Sequence, residues 1–159
     1  MNLVLDSSVV AKLFVDEMDS DTATELLEKS STKDIKLIAS TLVFYEVGNT
    51  ILKHLRGKDE DGTEYMNQLF SLNIEYISLG ETVAGEAVRI AKIDDITYYD
   101  AVHITLSQRH RSALVTEDKE LLRKFKNAIP MKDALERIEK ESQTTNSHDI
   151  DKEFTIDKR

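Results

Sequence analysis

Four short apolar runs, each bounded by polar residues, recur along the chain between longer stretches of helical character. They are Leu3-Val4-Leu5, Leu37-Ile38-Ala39, Ala113-Leu114-Val115 and Ile74-Glu75-Tyr76-Ile77, the last broken by one acid. Runs this short suit buried strands and are too short for helices. Strands that alternate with helices predict an α/β fold with a central, largely parallel sheet, joined by right-handed crossovers. In such sheets a ligand sits outside the carboxyl ends of the strands, where the strand order reverses. The residues just after each apolar run therefore carry most of the functional information.

The pattern predicts strands over Asn2–Asp6, Lys36–Ser40, Ile74–Ile77 and Ala113–Thr116, with a short edge strand at Ala128–Pro130. It predicts a helix starting near Ser7 and Ser8 and carrying the apolar stretch Val9–Val15. Further helices are expected over 21–29, 42–56, 64–70, 81–93, 99–109, 118–125 and 132–141. Gly57 and Gly62 mark a turn, and only 5 glycines and 1 proline interrupt the chain, which favours helix. Ser142–Arg159 is polar and aperiodic and reads as a tail. The expected organisation is one domain over 1–141 and a polar C-terminal tail over 142–159. A length of 159 residues fits that plan.

Composition narrows the chemistry. There are no cysteines, which excludes disulfides, thiolate metal sites and cysteine nucleophiles. No apolar run is long enough to cross a membrane, and no signal-type N-terminus is visible, so a cytoplasmic location is expected. The net charge of −9 argues against a broad nucleic-acid-binding face. It leaves phosphodiester chemistry open, because a bound cation inverts the local field.

Asp6 and Asp118 lie at or just past the ends of predicted strands. Glu46 interrupts the apolar segment Leu42-Val43-Phe44-Tyr45-Glu46-Val47, and Asp100 opens a helix that Thr97 is placed to cap. Each acid alone has an ordinary structural reading, as a cap or a solvated face residue. Together, clustered carboxylates repel one another unless a proton or cation compensates them. Hard oxygen donors suit Mg²⁺ or Mn²⁺. Such ions activate water for attack on phosphorus.

The segments Leu3-Val4-Leu5-Asp6-Ser7-Ser8, Leu42 to Asn49 around Glu46, Tyr98-Tyr99-Asp100-Ala101-Val102-His103 and Leu114-Val115-Thr116-Glu117-Asp118-Lys119 resemble, in order, the four motifs of the PIN-domain family. Size and plan resemble its VapC toxin type. The resemblance covers about Met1 to Glu136. It implies a three-layer α/β/α fold and a metal-dependent endoribonuclease that hydrolyses RNA with metal-activated water. Asp6 would be the central ligand for Mg²⁺ or Mn²⁺, with Asp100, Asp118 and Glu46. Ser7 and Thr116 would orient the carboxylates, although a cap or turn hydroxyl accounts for them equally well. The resemblance also implies a homodimer and a small antitoxin partner. The alternative is a PIN-fold RNA- or protein-binding module whose activity has decayed.

Several other residues carry weaker expectations. Asp94 and Asp95 read as a cap or turn. Glu117 should point away from Asp118, yet remains a candidate substitute ligand. His54, His103, His110 and His148 lack metal-ligand spacing, so His103 reads as packing or surface. Asn49 reads as helix surface. Tyr98 and Tyr99 read as core packing before base stacking. Lys53, His54, Arg56 and Lys58 read as a solvated helix end. A dehalogenase-type phosphatase would need an acid where Ser8 stands. A receiver domain would need adjacent acids after the first strand and a late Lys-Pro step.

Overall fold

The computed structural model describes residues 1–32 and 35–141; the expected tail at 142–159 lies outside the described residues. The strands are β1 (Asn2–Leu5), β2 (Lys36–Ser40), β3 (Glu75–Ile77), β4 (Ala113–Val115) and β5 (Ala128–Ile129). The helices are α1 (Ser7–Ala11), α2 (Ser20–Thr32), α3 (Val43–His54), α4 (Gly62–Ser71), α5 (Glu81–Asp94), α6 (Tyr98–Arg109), α7 (Lys119–Lys124) and α8 (131–141). Among the described residues the five strands form one sheet in the order β3-β2-β1-β4-β5, every pair parallel. Val4 pairs with Ile38 on one side and with Leu114 on the other. The order reverses between β1 and β4, which makes their shared carboxyl end the crevice.

Side chains alternate across a strand, and β1 shows the consequence. Leu3 and Leu5 join a core with Val9, Val47, Ile51, Leu69, Val115, Leu135 and Ile138 on one face. Val4 points to the other, with Ile38, Ile104, Leu106, Leu114 and Leu121. A parallel sheet covered on both faces needs continuous apolar strands, and the short runs supply them. Leu114 is fully buried, and Leu114→Ala would cost about 2–5 kcal/mol through lost transfer energy and a cavity.

The first helix departs from expectation. It spans only Ser7–Ala11, because Asp6 caps it from the strand end and Lys12 closes it; the apolar residues Phe14 and Val15 follow in turns and still reach the core. Asp95 ends α5 in the left-handed region, φ 50°, and Lys124 Nζ donates to the carbonyls of Asp94 and Asp95. Their expected turn role is thus a lock between α5 and α7. Tyr98 packs beside Ala87 and Ala101. Tyr99 does not share that role: it is 56% exposed, because it starts a helix whose buried side faces the sheet. No helix among the described residues is long and apolar enough to cross a membrane.

Candidate metal centre

Asp6 leaves β1 at its carboxyl end, where its backbone N–H donates to the Val115 carbonyl of β4. Its side chain is buried and accepts three hydrogen bonds. Oδ1 accepts from the Ser7 backbone N–H at 2.8 Å. Oδ2 accepts from Ser8 Oγ at 2.6 Å and from Thr116 Oγ1 at 2.7 Å. Charged hydrogen bonds are the strong ones, and here they fix the carboxylate between the two central strands. Thr116 Oγ1 in turn accepts from the Asp118 backbone N–H. Asp118 caps α7 through Oδ1, which accepts from Glu120 and Leu121 N–H groups.

Glu46 stands on the first turn of α3, which packs against α1. Its Oε2 accepts a hydrogen bond from Ser7 Oγ and lies 3.0 Å from His103 Nε2. Asp100 and His103 sit one turn apart on α6, hence on the same face. Thr97, the helix cap, donates to Asp100 Oδ2 at 2.6 Å. His103 Nε2 also lies 3.3 Å from Ser7 Oγ and 3.6 Å from Asp6 Oδ1.

The electrostatics tie these groups into one field. Burial pushes the Asp100 carboxyl up; the Thr97 hydroxyl opposes this, and the charges of Asp6 and Asp118 raise it further. Burial alone would raise Glu46, but the hydrogen bonds to His103 and Ser7 hold it below the ordinary carboxylate value. For His103, burial favours the neutral ring, yet Glu46 and the charges of Asp6 and Asp100 outweigh it and lift its pKa above the usual imidazole value. The neighbouring acids favour the charged ring and burial the neutral one.

All four sequence-predicted acids and both hydroxyls thus occupy the carboxyl edge of β1 and β4. Ser7 bridges toward Glu46, and Thr116 bridges Asp6 to Asp118. Glu46 Oε1, Asp100 Oδ1 and Asp118 Oδ2 have no hydrogen bond among the described residues. As the side chains lie, no group of three or more His, Asp or Glu among the described residues is arranged to hold a metal ion. The donor chemistry is nonetheless that of a hard cation: carboxylate oxygens, no thiolate, and three oxygens with spare lone pairs.

Two expectations need correction. Glu117 is not a substitute ligand: its Oε1 accepts from the Met131 N–H at the start of α8, 2.8 Å away. Alternation along the segment turns it from its neighbour Asp118. His103 is neither surface nor plain packing; it is fully buried and tied to Glu46 and Ser7. Its spacing of three from Asp100 on one helix was the available signal. Ser8 was also missed as a partner of Asp6. Asn49 is exposed, as its helix position suggested, and Lys58 contacts His54 and Glu60 at the solvated end of α3.

Comparison with known proteins follows this geometry. Residues 3–127 match the PIN domain. Ribonuclease VapC3 of Pyrobaculum aerophilum is 30% identical over 130 residues, covering 79% of this chain and 95% of the relative. Exonuclease VapC9 of the same organism is 31% identical over 103 residues, covering 65% and 77%. The crystal structure of PAE2754 from Pyrobaculum aerophilum superposes with a TM-score of 0.67 at 25% identity, covering 87% of this chain and 89% of that one. A toxin–antitoxin complex from Klebsiella pneumoniae shares the fold at 17% identity and a TM-score of 0.62, over 81% and 97% of the two chains.

Proposed function

The chain belongs to the PIN-domain family, and from that premise we propose that it is a VapC-type toxin endoribonuclease using Asp6, Glu46, Asp100 and Asp118 to hold Mg²⁺ or Mn²⁺. What supports this reading is a chain of links at the switch point between β1 and β4: Thr116 ties Asp6 to Asp118, Ser7 and His103 tie Glu46 toward Asp6, and the charges of Asp6 and Asp118 act on Asp100. Such a cluster is self-repelling unless a cation joins it. The named similarity to ribonuclease VapC3 supports RNA as the substrate class.

When bound, the cation supplies a Lewis acid and lowers the pKa of water beside the scissile phosphate. The protein does the rest. Asp6, fixed by Ser8 and Thr116, is the least mobile donor and sets the position of the site. Glu46, Asp100 and Asp118 would each offer an oxygen that has no hydrogen bond among the described residues. Ser7 orients Glu46, and Thr116 holds Asp6 in register with Asp118. His103 acts as a positioning residue, holding Glu46 and Ser7 against the Asp6 side of the crevice. No side-chain nucleophile is required.

The toxin–antitoxin complex among the structural neighbours and the curated relatives support a small antitoxin protein as the partner. A homodimer is also proposed: Tyr45 and Leu52 on α3 and Phe70 on α4 are exposed apolar side chains on neighbouring helices. Light scattering showing only monomer at high concentration would remove the dimer. The reaction is assigned to the cytoplasm, where its RNA substrate is found. The deciding experiment is RNA cleavage with Mg²⁺ or Mn²⁺ by wild type and Asp100→Asn, with folding checked by circular dichroism. Loss of cleavage in the variant supports the reading. Equal cleavage by both removes the assigned site, metal-independent cleavage removes the cation's role, and no cleavage by either protein overturns the reading in favour of a binding module.

A further inference from the structure

At the amino edge of the sheet, where α6 gives way to β4, lies an open pocket of about 430 Å³. Arg111 and Ser112 come from the α6–β4 turn, Lys126 and Asn127 from the turn before β5, Arg137 from α8 and Gln108 from the end of α6. Its wall holds three cations and no carboxylate. None of the three makes an ion pair with a described residue. In a chain of net charge −9, cations are a minority; Arg109 pairs with Glu86 and Lys29 with Glu139, while others such as Arg56 and Arg89 have no ion pair among the described residues, so it is the grouping of three cations in one wall that sets this place apart. Ser112 Oγ is buried and has no hydrogen-bond partner among the described residues, so the wall also holds a spare hydroxyl.

The backbone at Arg111 adds an independent observation. The Arg111 N–H donates to the Gln108 carbonyl and the Ser112 N–H to the Ser107 carbonyl. That pair of bonds is a Schellman closure of α6, whose left-handed position normally falls to glycine. Arg111 occupies it at φ 50°, a conformation disfavoured for a residue with a Cβ. Local stability would choose glycine there; a guanidinium gains nothing from the turn and aims at the pocket.

We propose that this pocket binds a phosphate group, through Arg111, Lys126 and Arg137 with the Ser112 hydroxyl. Guanidinium groups suit phosphate oxygens through paired, charged hydrogen bonds. The phosphate has two possible sources, a free phosphate or mononucleotide, or the backbone of an RNA strand whose scissile segment lies at the carboxyl edge. Three residue steps along the strand lead from Ala113 in the pocket to Thr116 at the acids, about 10 Å of sheet, a distance that a few nucleotides span. The strand version rests on the nuclease reading; the phosphate version does not.

The test uses full-length Asp6→Asn protein in chelator, so that nothing is cleaved. Inorganic phosphate, AMP and a short single-stranded oligoribonucleotide are titrated separately while the amide signals of Arg111, Ser112 and Asn127 are followed by NMR. All three probes are expected to shift these signals. Arg111→Gly is expected to weaken binding about tenfold while leaving the melting temperature unchanged or higher, since glycine fits the turn; Arg137→Ala should weaken it without touching the turn. Tighter, salt-sensitive binding of the strand over AMP identifies RNA backbone; equal affinity identifies a small phosphate ligand. No shift with any probe, or affinity unchanged in both variants, overturns the pocket. Failure of wild-type protein to cleave RNA would sink the nuclease reading and leave the phosphate result standing.

Discussion

At the carboxyl edge of the sheet, acidic side chains are held by hydroxyls, backbone N–H groups and one imidazole. At the amino edge, Arg111, Lys126 and Arg137 surround a pocket with no carboxylate in its wall. The first cluster is heavily braced: Asp6 alone accepts bonds from Ser7, Ser8 and Thr116. The second is hardly braced at all. The contrast reflects where each charge sits. Asp6 is 6% exposed and would be costly without partners, whereas Arg111, Lys126 and Arg137 are exposed and keep their hydration. Burial therefore forces organisation on Asp6, the one buried acid of the four, and organisation is what a precise cation site needs. The cations need only be close to one another to attract a phosphate.

If the two edges are separate devices, substitutions at one should leave the other intact. The largest effect is expected in catalysis. Asp100→Asn should reduce metal-dependent RNA cleavage roughly 100-fold or more, whereas Glu117→Gln, which touches α8 instead of the site, should change it little. Rate assays on the two variants decide whether position in space or adjacency in sequence defines the acid set.

Next comes metal-linked stability. At a concentration about 100-fold above its dissociation constant, Mn²⁺ should stabilise the wild type by roughly 2.7 kcal/mol, on the order of 5–10 °C in melting temperature. Asp100 is the cleanest probe. Its carboxyl is pushed up by burial and by Asp6 and Asp118, so Asp100→Asn should raise the metal-free melting temperature and shrink the metal shift. Asp6→Asn is less clean, because it also weakens the cap of α1. Arg111→Gly should show the full Mn²⁺ shift. A reduced shift there would mean that the two edges are coupled.

A smaller effect is expected at His103. His103→Ala leaves Glu46 with one fewer partner and should weaken metal affinity about tenfold, read by titration calorimetry. His103→Gln, which retains a donor at similar reach, should recover part of it. No difference between the alanine and glutamine variants would reduce His103 to packing.

The smallest effect is the pH dependence of metal-free stability. Glu46 is held below its ordinary value of 4.5, so its contribution is present above that value and lost as pH falls through the folded one. His103 is held above 6.5, so its contribution is present below 6.5 and lost as pH rises through the folded value. The pair therefore stabilises most between these two ordinary values. Asp100, raised above 3.8, works the other way and costs stability as pH rises through its folded value. Melts of wild type and His103→Gln across this range should converge at high pH; a constant gap would mean that His103 does not titrate as part of the pair.

Strand positions were legible because buried parallel strands announce themselves as short apolar runs, and β2 falls on the expected residues Lys36–Ser40. The acids at Asp6 and Asp118 were legible for the same reason, since strand ends point to the crevice. Glu46 and Asp100 needed the family resemblance, because helix periodicity does not say which polar face looks inward. His103 was missed because α6 is buried almost all round, from Ala101 to Ser107, which removes the amphipathic contrast that would mark a polar residue as misplaced. Glu117 was ambiguous because its partner, the Met131 N–H, lies across a turn that no local pattern reveals. The early end of α1 was hidden too: apolar residues continue past Ala11, and tertiary packing, not periodicity, decides that they leave the helix.

The strand order also sets a timetable. β1 precedes the other four strands in the chain yet lies at the centre of the sheet, and its neighbour β4 follows more than a hundred residues later. Synthesis proceeds from the N-terminus, so Asp6 emerges long before Thr116, the hydroxyl that fixes it, and before Asp118. A ribosome-bound fragment ending ahead of β4 holds three of the four acids but no crevice to gather them in. Late closure of the sheet therefore postpones the gathering of all four acids until β4 and the residues just after it have emerged.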